Sequence, residues 1–406
     1  MKVAEFRPAQ SPAAMAPVDL VPRYRGQGYT AGDVARRRLW IEHKTGVALE
    51  HVGACSITTE QMRGNIENPI GTIQMPLGVA GPLLIHGDHA RGTFYVPLAT
   101  TEGALVRSYE RGMVTLTRAG GVTTRVDVDE NRVCPVVMFE TVADASRFVA
   151  RLPAHVAALR READATTRHG RLLRVEPRQV GREVILTFCY HTGDAQGMNM
   201  IVNATERACE WLRQAGAIAG YDIFSGFSSE KRATAALLAS GKGKTVIAGA
   251  RVPAWIARSC LHATPEQLAR EWHRAAVGHM LAGAIGCNAQ FANGLTALFI
   301  ACGQDVANVA NAHAGITNFE CTSDGDLYAS VTLPSLTVAT VGGGTNLGTS
   351  RECLGLLGCA GSGRAVKFAE IVAATVLAGE LSMAAAIASG EFVRAHEQYG
   401  RNKPAE

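Results

Sequence analysis

The chain has 406 residues, of which 47% are hydrophobic and 19% charged, and its net charge is +4. That length fits two domains, or one large domain carrying an insertion, and that balance fits a compact globular core. The positive excess is spread along the chain, which excludes a basic block of the nucleic-acid or membrane-surface type and leaves room for an anion pocket.

Ten cysteines form no C-x-x-C pair and no His/Cys cluster of zinc spacing, so no metal site is expected and the thiols are expected to be reduced. Residues 1–22, rich in Pro and Ala, hold no apolar run of signal-peptide type. The apolar stretch 275–302 contains His279, Asn288, Gln290 and Asn293, which suits a buried helix better than a membrane span. A soluble, cytoplasmic protein with no anchor of its own is therefore expected.

In chain order, 30–49 has a charged helical pattern with Thr30 as N-cap. Phe94, Val96 and Leu98 alternate as in a strand. Leu105, Tyr109, Met113 and Leu116 then share one helical face, and Gly120-Gly121 ends that helix. From 125 to 223 the pattern predicts a small α+β unit of order β-α-β-α, with strands at 133–139 and 182–190 and helices at 143–161 and 199–215. A strand follows at 245–250, one or two long helices at 265–302, strand material at 327–340, and helices over 365–397 broken near Gly379 and Gly390.

Four residues could carry chemistry. Glu102, in T-T-E-G, stands where a helix opens; ionised, it suits the positive end of the helix dipole, and burial beside another acid would make it a proton donor. Lys231, in S-G-F-S-S-E-K-R, lies in a loop, where a lone lysine is usually a solvated charge; buried, it could stabilise an oxyanion. Asp305, in A-C-G-Q-D, follows an apolar helical run and could be a simple cap, or could hold a lysine protonated. His396, near the C-terminus, could titrate near neutral pH.

Each signal is weak alone. Their order, each inside a longer word, is not. The words are E-N-P-I-G, L-G-V-A-G-P-L, P-L-A-T-T-E-G, G-D-A-Q-G-M-N-M, A-C-G-Q-D, T-V-G-G-G-T, A-G-E-L-S and R-A-H. Over about 60–403 the chain resembles the eukaryotic-type (class I) catalytic domain of 3-hydroxy-3-methylglutaryl-CoA (HMG-CoA) reductase, in a soluble prokaryotic-like form.

The resemblance implies an α+β fold in which a large substrate-binding domain carries an inserted, ferredoxin-like NADP-binding domain. The implied boundaries are an N-terminal arm and helical region at 1–50, the large domain at 51–125 and 224–395, the small one at 126–223, and a catalytic tail at 396–406. It implies reduction of a thioester to an alcohol in two hydride steps by NADPH. Glu102, Lys231 and Asp305 would form a hydrogen-bonded acid/base group, and His396 would protonate the departing CoA thiolate. Arg125, Ser225, Arg232 and Arg274 would hold the substrate carboxylate; Asn293 is a further substrate residue, and Arg111 would meet CoA phosphate. Asp194, Gly197, Met198, Asn199 and Met200, with Gly342, Gly343 and Gly344, would bind NADPH, while Arg168 and Arg401 would favour its 2′-phosphate. A homodimer or homotetramer is implied, with E-N-P-I-G in the dimer segment.

The chain departs from the family's wording at a few places. D-K-K reads E-K-R, with Glu230 one methylene longer than Asp; Arg274 replaces a usual lysine, Glu110 a common Asn, and His262 a cation near CoA. Asn402 stands where the animal enzyme has a regulatory serine. The leading reading is an HMG-CoA reductase making mevalonate. The alternatives are a diverged reductase of another acyl thioester and, behind it, a non-catalytic CoA-binding relative. No H-E-x-x-H or G-x-S-x-G points to a metallopeptidase or serine hydrolase.

Overall fold

A computed structural model describes Pro22 and residues 28–392. The chain divides into two compact units, Met1–Gln74 and Met75–Glu406.

In the first unit helix α1 (Ala31–Thr45) starts as expected: the Thr30 hydroxyl accepts from the Asp33 N–H at 3.1 Å. A short helix, α2 (Glu50–Gly53), follows. Arg37, 1% exposed, holds the unit together by donating to three carbonyls: Pro22 at 3.2 Å, Gly28 at 3.2 Å and Pro69 at 2.6 Å. The last of these lies inside E-N-P-I-G.

The second unit opens with strands β1 (Leu77–Gly87) and β2 (Arg91–Ala99), an antiparallel pair, and helix α3 (Leu105–Arg118). Strand β3 (Val122–Val133) runs parallel to β1 at its start and antiparallel to later strands along its length. Beyond it come β4 (Val136–Met138), α4 (Val142–Asp164), β5 (Arg171–Val180), β6 (Glu183–His191), α5 (Met198–Gln214) and β7 (Gly220–Asp222). Their pairings give the sheet order β7-β4-β6-β5, all antiparallel, on a β-α-β-β-α-β connection. That is the ferredoxin-like arrangement. The expected β-α-β-α order omitted β5. Its charged, Pro-containing sequence R-L-L-R-V-E-P-R-Q-V is mostly exposed and pairs with β6 alone, so it shows little alternation.

The chain then returns through α6 (Ala236–Ser240), β8 (Gly243–Val252), α7 (Ala254–Leu261), α8 (Pro265–Leu281), α9 (Phe291–Ala301), α10 (Val309–Ala312), β9 (Ile316–Cys321), β10 (Leu327–Leu336), α11 (Gly348–Leu356) and α12 (Ala365–Ala388). The run 265–302 is thus two helices. Strand β8 sits between β3 and β10, and β9 pairs with β10. Two hydrophobic cores result. One gathers β1–β3, α3, β8–β10, α9 and α12; the other lies within Val133–Ile218. Strand β3 serves both, because its start pairs with β8 while Asn131–Val133 pair with β6.

Among the described residues, α12 is the one helix long and apolar enough to cross a membrane, and 83% of its apolar window is buried inside the protein. The break expected near Gly379 is absent: the helix continues through it. The glycine is there for contact: a Cβ would lie 2.4 Å from Cζ of Tyr109, whose fully buried ring packs on the helix at that point. Gly390, with φ +72°, does follow the helix end. All ten cysteines are free thiols.

Candidate active site

The lysine loop begins where the smaller core hands the chain back. Ser225 is fixed there: its hydroxyl donates to Cys134 O at 2.6 Å and its N–H to the same oxygen at 3.0 Å. Two residues of the loop that are not glycine, Ser229 (φ +60°) and Lys231 (φ +53°), are left-handed. Such backbone costs about 1–3 kcal/mol per residue and persists only where surroundings enforce it. Two side chains do so: Ser229 Oγ meets Thr234 Oγ1 at 2.7 Å, and Glu230 pairs with Lys242 at 2.9 Å.

Asp305 arrives on the turn after α9. Gly303 crosses Gly344 there so closely that a Cβ on Gly303 would lie 2.4 Å from Gly344 O. The crossing is locked by Gln304, whose amide donates to Ala339 O at 3.0 Å and accepts from Ala339 N–H at 2.8 Å. Asp305 then accepts from the Ala307 N–H at 3.1 Å and, through its other oxygen, meets Lys231 Nζ at 2.7 Å. The expected Lys231–Asp305 pair is therefore present, and A-C-G-Q-D and T-V-G-G-G-T are physically crossed.

Glu102 stands apart from that pair. The helix it was expected to open starts later, at Leu105, after Ala104 in left-handed conformation. Glu102 lies on the preceding turn, with its N–H donated to Thr100 Oγ1 at 3.0 Å. Among the described residues its carboxylate has neither a hydrogen-bond nor an ion-pair partner. It lines a cavity of about 850 Å³ together with Glu110, Arg111, His262, Gln290 and Asn293.

Arg111 in this cavity is already engaged. It donates to Ser382 O at 2.6 Å and Ser382 Oγ at 3.0 Å, and pairs with Glu391 at 3.3 Å; His262 Nδ1 meets the other Glu391 oxygen at 2.9 Å. Burial pulls the guanidinium below its usual pKa, and Glu391 opposes that. Arg125, Arg232 and Arg274 are the converse case. All three are exposed, and among the described residues none of the three guanidinium groups has a hydrogen-bond or ion-pair partner.

The cofactor words also converge. Asp194 does not present its carboxylate to an open surface. It accepts the N–H groups of Gly363, Arg364 and Ala365, at 2.6, 3.0 and 3.0 Å, at the start of α12. Burial disfavours its charge, but these three donors prevail and hold the carboxyl below the usual range. Its carbonyl accepts from Thr340 N–H at 2.9 Å, so it ties the turn before α5 to T-V-G-G-G-T. Met198 and Met200 likewise face protein: Met198 Sδ lies 3.4 Å from Asn131 Nδ2, and Met200 Sδ 2.9 Å from Thr167 Oγ1. The latter contact seats the turn bearing the exposed Arg168 against the first turn of α5. Asn199 is exposed, and Gly197 precedes α5 with φ +73°. Gly342 and Gly343 are exposed, at φ +83° and +54°, with open space where a Cβ would stand, so a ligand can approach their backbone. His396 and Arg401 lie outside the described residues.

Three contributors were not foreseen: Gln304, Lys242 and Glu380. Glu380, fully buried on α12, accepts from Ala289 N–H (2.8 Å), Gln290 N–H (2.6 Å) and the Thr317 hydroxyl (2.7 Å), and so fixes the entry to α9 and Asn293. A lone acid inside the apolar word A-G-E-L-S was the available signal.

A mixed α+β body with an inserted ferredoxin-like module and a lysine–aspartate pair at crossed glycine loops defines a distinct class. The family model described as hydroxymethylglutaryl-coenzyme A reductase matches residues 33–401. The 3-hydroxy-3-methylglutaryl-coenzyme A reductase of Methanothermobacter thermautotrophicus is 45% identical over 368 residues, covering 90% of this chain and 92% of that protein. The reductase of Pyrococcus abyssi is 44% identical, with the same coverages. Among solved structures, the reductase of Streptococcus pneumoniae matches with a TM-score of 0.66 at 21% identity, covering 87% of this chain and 96% of that one. A class II reductase structure from the same organism, described as bound to NADPH in open conformations, gives a TM-score of 0.67 at 20% identity, covering 87% and 86%. These structural likenesses show the fold. The chain belongs to the hydroxymethylglutaryl-coenzyme A reductase family.

Proposed function

We propose that this chain reduces HMG-CoA to mevalonate and free CoA, with two NADPH consumed and two protons taken up. The observation that carries the reading is the Lys231–Asp305 pair, 2.7 Å apart, set where A-C-G-Q-D crosses T-V-G-G-G-T. NADPH supplies the hydride. The open backbone at Gly342 and Gly343 and the turn before α5 fit a phosphate-bearing cofactor, with Gly344, Asn199 and Arg168 beside them. Arg401 belongs to the same set by resemblance.

Lys231 points its ammonium at the carbonyl oxygen as charge grows there, and Asp305, 2.7 Å away, holds it oriented. Glu102, on the cavity wall, gives a proton at the aldehyde stage. His396 protonates the thiolate that leaves. The three guanidiniums of Arg125, Arg232 and Arg274, unpartnered among the described residues, suit a carboxylate, and Arg is well shaped for that task. The domain roles follow: 51–125 and 224–395 would hold substrate, 126–223 cofactor, and 396–406 the acid that protonates the thiolate. The test is purified protein with HMG-CoA and NADPH, followed at 340 nm; no oxidation of NADPH sinks the reading.

Arg168→Ala should raise KM for NADPH about tenfold to a hundredfold, since a charge-assisted arginine–phosphate bond contributes about 1.5–3 kcal/mol. Values for NADH should hardly move. Equal losses for both cofactors would remove Arg168 from phosphate recognition.

We further propose a homodimer at least, soluble in the cytoplasm, in which a second copy completes each site. The Glu102 carboxylate has no hydrogen-bond or ion-pair partner among the described residues, although a hydrogen-bonded trio is expected. Specific activity should therefore fall on dilution in step with dissociation measured by light scattering. A fully active monomer would contradict this.

A further inference from the structure

Among the charged side chains not assigned to the reaction, Lys242 is the most completely enclosed next to the lysine loop. Its side chain is 0% exposed, and its ammonium has four neighbours: Asn131 Oδ1 at 2.6 Å, Glu230 Oε2 at 2.9 Å, Arg132 O at 3.2 Å and Met198 Sδ at 3.6 Å. Asn131 extends the network by donating to Gln196 O at 2.8 Å. The Lys242 N–H donates to Ser335 Oγ at 3.1 Å, which fixes the lysine to β10. One buried cation therefore touches the end of β3, the start of α5 and the residue immediately before Lys231.

We propose that Lys242 is a positioning residue for the hydride step: by gripping Glu230 it sets the left-handed backbone that delivers Lys231 to Asp305, and through Asn131 and Met198 it keeps that loop in register with the cofactor-side turn. Stability alone does not call for a lysine here. A buried ion pair replaced by apolar groups of similar volume is often neutral or stabilising, while loss of one partner strands the other. Geometry does call for one. Glu230 is flanked by the two left-handed residues Ser229 and Lys231, and its carboxylate is the tether between them that reaches the interior. A released Glu230 lets the backbone at 229–231 relax to ordinary φ, and Lys231 swings off Asp305.

The inference rests on the reductase reading, so the assay separates the two. Wild-type protein that binds NADPH but oxidises none with HMG-CoA removes the reductase reading, and this one with it. Given an active wild type, Lys242→Met, Glu230→Gln and the double variant are compared. The NADPH stoichiometry of each, read by quenching of tryptophan fluorescence, reports the folded fraction. At unchanged stoichiometry, kcat should fall about 10–100-fold in each single variant, for HMG-CoA and for added mevaldehyde alike, the usual range for loss of a supporting contact behind a reacting group. KM for HMG-CoA should rise by less than kcat falls, because Arg125 and Arg274 lie off this network, while Arg232, whose N–H donates to Ser229 O at 3.3 Å, shares the loop. The double variant should be no slower than the slower single one, since both changes release the same loop. Should Lys242→Met fail to fold, Glu230→Gln, which keeps the shape and removes the charge, decides alone. A kcat within threefold of wild type in a folded single variant, or losses that multiply in the double, overturns the proposal.

Discussion

Lys231→Ala is expected to lower kcat by about 10³-fold or more with HMG-CoA and to do the same with added mevaldehyde. Removal of one donor from an oxyanion site costs about 10²–10³-fold. Lys231 brings a full charge as well as a donor, and Asp305 stands 2.7 Å away to keep it aimed. Both hydride transfers build charge on a carbonyl oxygen, so both substrates need it. Asp305→Asn keeps the lysine but loses the partner charge and should sit between wild type and Lys231→Ala. His396→Gln should separate the two substrates. Thioester reduction should slow about 10²–10⁴-fold, the range for lost general acid catalysis, while mevaldehyde, which expels no thiolate, is largely spared. Steady-state rates of all three variants on both substrates decide the matter. If His396→Gln slows mevaldehyde as severely as the thioester, the division of labour is wrong.

The parts of the fold legible in the sequence were those with one wet face and one dry face. Phe94, Val96 and Leu98 alternate because β2 covers the larger core on one side, and Leu105, Tyr109, Met113 and Leu116 are buried along one stripe of α3. Elements lacking that contrast were lost. Strand β1 carries Gly81-Pro82 in its middle and reads as a turn, yet an irregularity between Ala80 and Leu83 carries the pairing past it. Helix α12 is buried almost all round, so periodicity is weak, and Gly379 reads as a breaker when it is a contact with Tyr109.

The site divides in the same way. Lys231 and Asp305 were found because they sit in distinctive words, and the structure brings them together. Lys242 was passed over because nothing in S-G-K-G-K marks it as buried, and Glu380 because its apolar word signals burial without naming its partners. Those partners lie far along the chain: Asn131 for Lys242, and the 289–290 main chain with Thr317 for Glu380. Asp194 lies in a distinctive word too, and its carboxylate holds the start of α12 while its carbonyl meets the Thr340 N–H, a packing role that the word alone does not disclose.

Glu380→Ala is expected to be the most destabilising single change near the site. It orphans the buried Gln290 N–H and the buried Thr317 hydroxyl, at about 1–3 kcal/mol each, takes the acceptor from the Ala289 N–H, and leaves a cavity besides. A loss of at least about 3 kcal/mol should appear as a lower urea midpoint at unchanged slope. Glu380→Gln keeps one acceptor oxygen and should lose less. The pH dependence tests the charge itself. Burial raises the Glu380 carboxyl above its ordinary 4.5, and the hydrogen bonds from Ala289, Gln290 and Thr317 only partly offset that. An acid whose folded pKa is raised holds its proton more tightly when folded. Its contribution is therefore greatest below about 4.5, falls as pH rises through the folded value, and is level above it. Glutamine does not titrate, so the stability gap between wild type and Glu380→Gln should narrow as pH increases through that window. Other titrating groups cancel in the difference. A gap that widens with pH would mean that the three donors outweigh burial and that Glu380 is held as the anion.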